Sequence, residues 1–264
     1  MCGFTGELRT DGHQPDIAAV ARMADAVSPR GPDAAGTWSN SWAALGHRRL
    51  SIIDTSPLGS QPMVDPELGL SIAFNGCIYN HHELRRELES HGYRFFSTSD
   101  TEVLLKGYHR WGTDVVHRLQ GMFALCIVER DRGRAVLARD PLGIKPLYLA
   151  RRAGRLRFGS TLPALVAGGD VDTDIDVVAL HHQLTLHGIV PAPRTLLRGV
   201  TKLPPATILV VDRAGTEAET TYWDPSFTRA RPDVADWDEA VLAALRTAVE
   251  RRWACSCPVG STPA

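Results

Sequence analysis

The sequence has no uninterrupted apolar run of the ~18–20 residues that a membrane helix needs, so no membrane association is expected. It has no excess of either charge. With 29 basic and 30 acidic residues the formal charge is −1, and nothing points to a nucleic-acid partner. The opening Met-Cys-Gly-Phe-Thr-Gly-Glu-Leu-Arg-Thr lacks a basic segment leading into a hydrophobic one. Neither a signal peptide nor a lipoprotein sorting sequence is therefore read ahead of Cys2, and a cytoplasmic protein is expected. Cysteine is scarce, with five residues at 2, 77, 126, 255 and 257. An odd number at irregular spacing argues against a disulfide framework and for reduced thiols. The histidine pairs His81-His82 and His181-His182 have no carboxylate or thiolate at metal-ligand spacing, and no metal is assigned. Repeats and low-complexity tracts are missing.

What is present is an ordinary globular composition, 44% hydrophobic over 264 residues, enough to bury a sizeable core. Gly3 to Leu8 reads as a strand. Asp16 to Val27 reads as a helix with Ile17, Val20, Ala24 and Val27 on one face. Ser71 to Phe74 is a strand running into the turn residues Asn75-Gly76. Leu84 and Leu88 mark a short helix closed by Gly92. Asp100 is placed to cap a helix carrying Val103, Leu104, Tyr108 and Trp111. Met122 to Glu129 and Arg134 to Arg139 form a hairpin around Asp131-Arg132-Gly133. Beyond Pro191 the chain is rich in proline and loop-like until a strand at Thr207 to Asp212. A last helix, Asp236 to Arg252, presents Trp237, Val241, Leu245 and Val249 as a stripe that needs a partner surface.

Cys2 is followed by glycine, and an initiator Met before a small residue is normally removed. A thiol and a free α-amine would then share one residue. An α-amine titrates near ~7.7–8.0 and can take the proton of a thiol of pKa ~8.5, so nucleophile and base come together. The bland alternative is a buried small hydrophobe. Asn75-Gly76 at a strand end can supply a carboxamide N–H and a backbone N–H to a developing oxyanion, or can simply form a hairpin turn. Arg49, at the start of an apolar strand, can grip a carboxylate with two bonds. Asp100 can accept from an ammonium as well as cap its helix.

Several segments follow one another in order. They are Met1-Cys2-Gly3, Arg30-Gly31-Pro32-Asp33, Gly46 to Asp54 (Gly-His-Arg-Arg-Leu-Ser-Ile-Ile-Asp), Gln61-Pro62-Met63, Phe74 to Asn80 (Phe-Asn-Gly-Cys-Ile-Tyr-Asn), Ser99-Asp100-Thr101-Glu102, and Arg139 to Tyr148 (Arg-Asp-Pro-Leu-Gly-Ile-Lys-Pro-Leu-Tyr). Together they resemble the glutaminase half, a class II glutamine amidotransferase, of glutamine-hydrolysing asparagine synthetases. The wording around Asn75 to Asn80, with Thr161 to Leu165 and Pro191 to Thr195, looks like the N-acetylglutaminylglutamine amidotransferase branch.

The resemblance implies an α+β fold, the N-terminal-nucleophile hydrolase four-layer αββα sandwich. It implies Cys2 as nucleophile, with Asn75 and Gly76 as oxyanion hole. Glutamine would be bound by Arg49 on its carboxylate and Asp100 on its ammonium, within a site that also includes Leu50, Ile52, Ile53 and Cys77. The family usually has Glu where this chain has Cys77, and a thiol cannot replace that charge, so weaker glutamine binding is expected. Residues 2–213 are read as the amidotransferase domain. Residues 214–264 are read as a linker and the first helix of a truncated synthetase domain. After Cys257-Pro258-Val259-Gly260 the family's Ser-Gly-Gly-x-Asp-Ser pyrophosphate loop is replaced by Ser261-Thr262-Pro263-Ala264. Cys255 and Cys257 are too few for a metal site, and the tail reads as altered or frame-shifted. ATP and Mg are therefore expected only for a synthetase half, which a separate subunit would have to supply, and a homodimer is the other association considered. The competing reading is an inert remnant that serves only in assembly.

Overall fold

The computed structural model describes residues 2–225 and 236–253. Two six-stranded antiparallel sheets stack face to face. The first has the order β10-β8-β9-β1-β3-β2, from β1 (Gly3–Arg9), β2 (Ala34–Ser39), β3 (Ala43–Arg49), β8 (Tyr148–Arg152), β9 (Arg155–Gly159) and β10 (Thr201–Lys202). The second has the order β12-β11-β7-β6-β5-β4, from β4 (Met63–Asp65), β5 (Leu70–Ile78), β6 (Gly121–Glu129), β7 (Arg134–Arg139), β11 (Thr207–Asp212) and β12 (Glu217–Thr221).

The two-residue period of the strands builds the layers. On β5, β6 and β7, Ala73, Ala124, Cys126, Val128, Ala135 and Leu137 meet Phe4, Leu8, Leu45 and Phe158 of the first sheet. The alternate residues Ile72, Phe74, Phe123, Leu125, Ile127 and Val136 pack against Leu84 and Leu88 of α2 (His81–Ser90) and Leu104 and Tyr108 of α3 (Asp100–Trp111). Met23 and Val27 with Ala164 and Leu165 join α1 (Ile17–Ala26) and α4 (Leu162–Gly168) over the first sheet. Helices therefore cover both outer faces. Each large side chain buried this way contributes about 1.5–3 kcal/mol. This is the αββα sandwich that the resemblance implies.

Several local expectations need correction. Ile17 is exposed, and the buried face of α1 is Ala19, Val20, Met23 and Ala24, with Val20 and Ala24 against Gly46 of β3 and Met23 against Gly168 of α4. Asn75-Gly76 is not a turn: β5 runs on to Ile78, with Asn75 opposite Ala124 and Gly76 opposite Phe123. Arg49 ends β3 instead of starting a strand. The cap of α3 is Ser99, whose hydroxyl accepts the Glu102 N–H at 3.2 Å, and Asp100 is the first helical residue.

The last helices are less covered. On α5 (Val177–Thr185) only Ala179 is buried. On α6 (Trp237–Trp253) the expected stripe of Trp237, Val241, Leu245 and Val249 is exposed. The tail containing Cys255 and Cys257 lies outside the described residues, as does Met1. Among the described residues no helix is long and apolar enough to cross a membrane.

Candidate active site

A cavity of about 420 Å³ opens where the ends of β1, β3 and β5 meet the start of α3. All the residues singled out from the sequence line it: Cys2, Arg49, Leu50, Ile52, Ile53, Asn75, Gly76, Cys77 and Asp100.

Cys2 immediately precedes β1. Its sulfur takes the Leu50 N–H at 3.3 Å and lies 3.5 Å from the Leu50 carbonyl. The Arg30 Nε donates to the Cys2 carbonyl at 3.1 Å, which fixes the backbone on the other side. Burial raises the Cys2 thiol above its ordinary pKa, against the opposing effect of the Leu50 hydrogen bond. The resting group is thus a protonated thiol that needs a base.

The strand edge facing Cys2 is unusual. β4 covers β5 only from Leu70 to Ile72, so from Ala73 onward one edge of β5 is open. On that edge the N–H groups of alternate residues point outward. The Phe74 N–H is taken by the Gln61 Oε1 at 2.7 Å, and the Ile78 N–H by the Asp100 Oδ2 at 3.0 Å. By the same alternation the Gly76 N–H points from this edge at the cavity. Only glycine fits there, because a Cβ would collide with the Met122 carbonyl and the Phe74 ring. Beside it the Asn75 Nδ2 is buried with no hydrogen-bond partner among the described residues. Two donors without acceptors among the described residues therefore sit together on the cavity wall that Cys2 shares, the arrangement an oxyanion requires.

His47, fully buried on β3, supports this wall: its Nε2 lies 3.1 Å from the Phe74 carbonyl. Burial pushes its pKa down to about 4, so the ring is neutral and donates from Nε2. Gln61 also reaches Thr101 through Nε2 at 3.2 Å, tying β5 to α3. Its place in the Gln61-Pro62-Met63 segment marked it, but that segment names no role for it.

Asp100 is buried, and burial raises its carboxyl to about 6, although the Ile78 N–H and the Arg49 charge act in the opposite direction. Arg49 is directed to the loop that follows it: Nη1 donates to the Ser56 carbonyl at 2.8 Å and Nη2 to the Asp54 carbonyl. Gly59 leaves room for that guanidinium, since a Cβ would strike Nη2. The guanidinium thus shapes the cavity rim as well as charging it. Lys145, Tyr79, Thr101, Met122, Ile144 and Arg252 also line the cavity, and sequence reasoning assigned none of them. Lys145 and Tyr79 lie inside quoted segments, which was the available signal.

The cavity combines a thiol, two vacant N–H donors, a buried carboxylate and a guanidinium, a set suited to attack on the carboxamide of an amino acid. Among solved structures, glutamine phosphoribosylpyrophosphate amidotransferase from B. subtilis is similar, with a TM-score of 0.63 at 20% identity over 85% of this chain and 50% of that one. At that identity the likeness is one of fold. A Bacillus subtilis protein named asparagine synthetase (glutamine-hydrolysing) is 32% identical, covering 98% of this chain and 42% of its own length. A Mycobacterium tuberculosis protein named putative asparagine synthetase (glutamine-hydrolysing) is 38% identical, covering 92% and 40%. This chain thus spans about two-fifths of the length of these relatives. The family described as glutamine amidotransferase domain matches residues 1–223. The match includes β1, β3, β5 and α3, which carry the cavity, and this chain belongs to the glutamine amidotransferase domain family.

Proposed function

We propose that the chain hydrolyses glutamine to glutamate and ammonia through a thioester on Cys2. The observation that supports this most directly is the placement of the Cys2 sulfur in one cavity with the unpartnered Asn75 Nδ2 and the outward Gly76 N–H. With Met1 removed, the α-amine of Cys2 takes the thiol proton and the sulfur attacks the side-chain carbonyl carbon of glutamine. The carbonyl oxygen becomes an oxyanion held by Asn75 and Gly76. Collapse expels ammonia, with its proton returned by the α-ammonium, and leaves a γ-glutamyl thioester. Water, deprotonated by the same amine, then cleaves the C–S bond and restores the thiol. Arg49 holds the substrate carboxylate, Asp100 its ammonium, and Leu50, Ile52, Ile53 and Cys77 form the walls. Leu50 contributes backbone in addition, since its N–H already steadies the sulfur.

The ammonia would serve an ATP- and Mg-dependent synthetase half, and the acceptor would be aspartate or a dipeptide. We take residues 2–213 as the core of the glutaminase unit, with β12 completing its second sheet, and 236–253 as the start of the unit that meets the partner. A separate synthetase subunit or a second copy of the chain would cover α6. A cytoplasmic setting fits reduced thiols such as Cys2 and Cys126.

The test is glutamate release from glutamine by wild type and by Cys2→Ala, alongside the intact mass of the purified chain. Loss of Met1, turnover in wild type and none in Cys2→Ala are expected. Equal rates in the two proteins, or turnover with Met1 still attached, would overturn the assignment.

A further inference from the structure

Two polar links join β5, the strand of Asn75 and Gly76, to the start of α3. One is direct, from the Ile78 N–H to the Asp100 Oδ2 at 3.0 Å. The other passes through Gln61, whose Oε1 accepts the Phe74 N–H at 2.7 Å while its Nε2 donates to the Thr101 hydroxyl at 3.2 Å. A backbone N–H can only donate, so the Phe74 bond fixes which end of the Gln61 amide is oxygen and leaves the nitrogen for Thr101. Asp100 and Thr101 are the first two residues of α3. Phe74 and Ile78 stand two positions before and after Gly76 on β5. The first turn of α3 is thus pinned to β5 on both sides of Gly76.

Gln61 is itself held in place. It is 8% exposed, and its carbonyl lies against Gly36 of β2, where a Cβ would collide with it. Thr101 is buried as well, and both residues line the cavity together with Phe74 and Asp100. The apolar packing between α3 and the second sheet has no preferred direction and tolerates sliding along the strand. A hydrogen bond does not, because it weakens steeply once its geometry is lost. The two links therefore set where α3 lies along β5.

That position fixes a span. In the proposed reaction Asp100 holds the substrate ammonium, and Asn75 and Gly76 hold the oxygen at the far end of the side chain. Glutamine and asparagine offer the same ammonium, carboxylate and carboxamide and differ by one methylene. A site anchored at both ends separates them by length alone, provided the anchors cannot drift. Misplacing a reacting centre by about 1 Å costs on the order of 10²-fold in rate.

We infer that Gln61, acting through Thr101, is the ruler of this site: it holds the ammonium anchor and the oxyanion wall at the separation that suits a glutamine-length amide and disfavours an asparagine-length one. Gln61 is a positioning residue that determines specificity, and this rests on the roles proposed above for Cys2, Asp100, Asn75 and Gly76.

The probes are two L-amino acids, one of glutamine length and one of asparagine length, each with a diazomethyl ketone in place of the carboxamide. The Cys2 sulfur attacks the carbon bearing the diazo group: a C–S bond forms, dinitrogen leaves and the thiol proton passes to that carbon. Labelling of the Met1-processed chain is followed by the mass of the Cys2 peptide, with Cys2→Ala as control. The ratio of the two rates cancels any general loss of reactivity or stability. Wild type is expected to favour the glutamine-length probe. Thr101→Val, which puts a methyl in place of the hydroxyl, is expected to lower the ratio about tenfold, whereas Thr101→Ser keeps it. Gln61→Met, read on the monomeric fraction, is expected to lower it likewise and replaces Thr101→Val should that chain not fold. A wild type without length preference overturns the inference, as does an unchanged ratio in folded Thr101→Val or Gln61→Met. An equal fall in Thr101→Ser also overturns it, by tracing the effect to the threonine methyl. Failure of the glutaminase reading looks different: neither probe then labels Cys2 in wild type, which removes both.

Discussion

The Asp100 Oδ2 accepts the Ile78 N–H at 3.0 Å, so the carboxylate proposed to hold the substrate ammonium also holds the strand proposed to face the oxyanion. Its acidity follows from the same burial. With a pKa raised to about 6, Asp100 is charged at neutral pH and loses its charge as the medium is acidified through that value. The KM for glutamine is therefore expected to rise as pH falls below about 6, approaching tenfold per unit, since a neutral carboxyl gives the ammonium little. Asp100→Asn should raise KM at all pH values and remove this dependence. Steady-state kinetics from pH 5 to 8 checks it, and identical profiles for the two proteins would refute the role.

His47 predicts a pH effect on stability of opposite sign to that of Asp100. A histidine whose folded pKa is lowered to about 4, against ~6.5 unfolded, lets the unfolded chain bind the proton first. Its contribution is present above ~6.5 and is lost as pH falls toward about 4, by up to about 3 kcal/mol. Asp100 is raised when folded, so its contribution is present below ~3.9 and lost as pH rises through about 6. The two offset each other in wild type. Melting temperatures between pH 7 and 4 should therefore fall more steeply in Asp100→Asn than in wild type, and less steeply in His47→Gln. The same slope in all three would show that neither group is linked to folding in this way.

The two donors of the oxyanion wall are separable by mutation. Asn75→Ala removes an amide nitrogen that has no hydrogen-bond partner among the described residues, so its fold should be kept and kcat for glutamine should drop about 10²–10³-fold. Gly76→Ala forces a Cβ against the Met122 carbonyl and the Phe74 ring, which should cost about 1–3 kcal/mol in addition to activity. Urea unfolding and single-turnover kinetics distinguish the two patterns. A fully active Asn75→Ala would remove that residue from the mechanism.

Cys77 places a thiol on the cavity wall where the resemblance implies a carboxylate. Cys77→Glu is expected to lower the KM for glutamine severalfold by supplying a second negative charge to the ammonium, with kcat within about twofold. Because Cys77 and Asn75 lie two apart on β5 they share a face, so the new carboxylate would enter the cavity. An unchanged or higher KM would mean that the thiol already serves this chain better than the acid.

How far the sequence could be read depended on whether a residue's role is local. That Cys2, Asp100, Asn75 and Gly76 belong to one cavity was legible because each lies in a short segment whose chemistry is spelled out by neighbours. Whether Asn75-Gly76 turns or runs straight was not legible. Both residues favour turns, and what decides is pairing with Phe123 and Ala124, more than 40 positions away in the chain. Arg49 was misplaced at the start of a strand because the apolar Leu50, Ile52 and Ile53 imitate one, while the true strand lies behind it and pairs with β1 and β2. Lys145 was overlooked because lysine is ordinarily a surface residue, and only the bonds around Asp140 and Arg139 turn it inward. Gln61 and His47 reach β5 from other strands and loops, a juxtaposition that no spacing encodes.

The short reach of β4 has a consequence beyond catalysis. An uncovered strand edge usually invites a second chain to pair with it, the route by which many sheet proteins aggregate. On β5 the groups flanking Gly76 are already taken: Gln61 holds the Phe74 N–H, His47 the Phe74 carbonyl and Asp100 the Ile78 N–H. A peptide backbone would need consecutive rungs of this ladder and finds them capped. A single oxygen needs only one. The same capping that leaves room for a reaction intermediate thus protects the sheet from polymerising, and removing Gln61 or Asp100 would be felt first as stickiness between molecules.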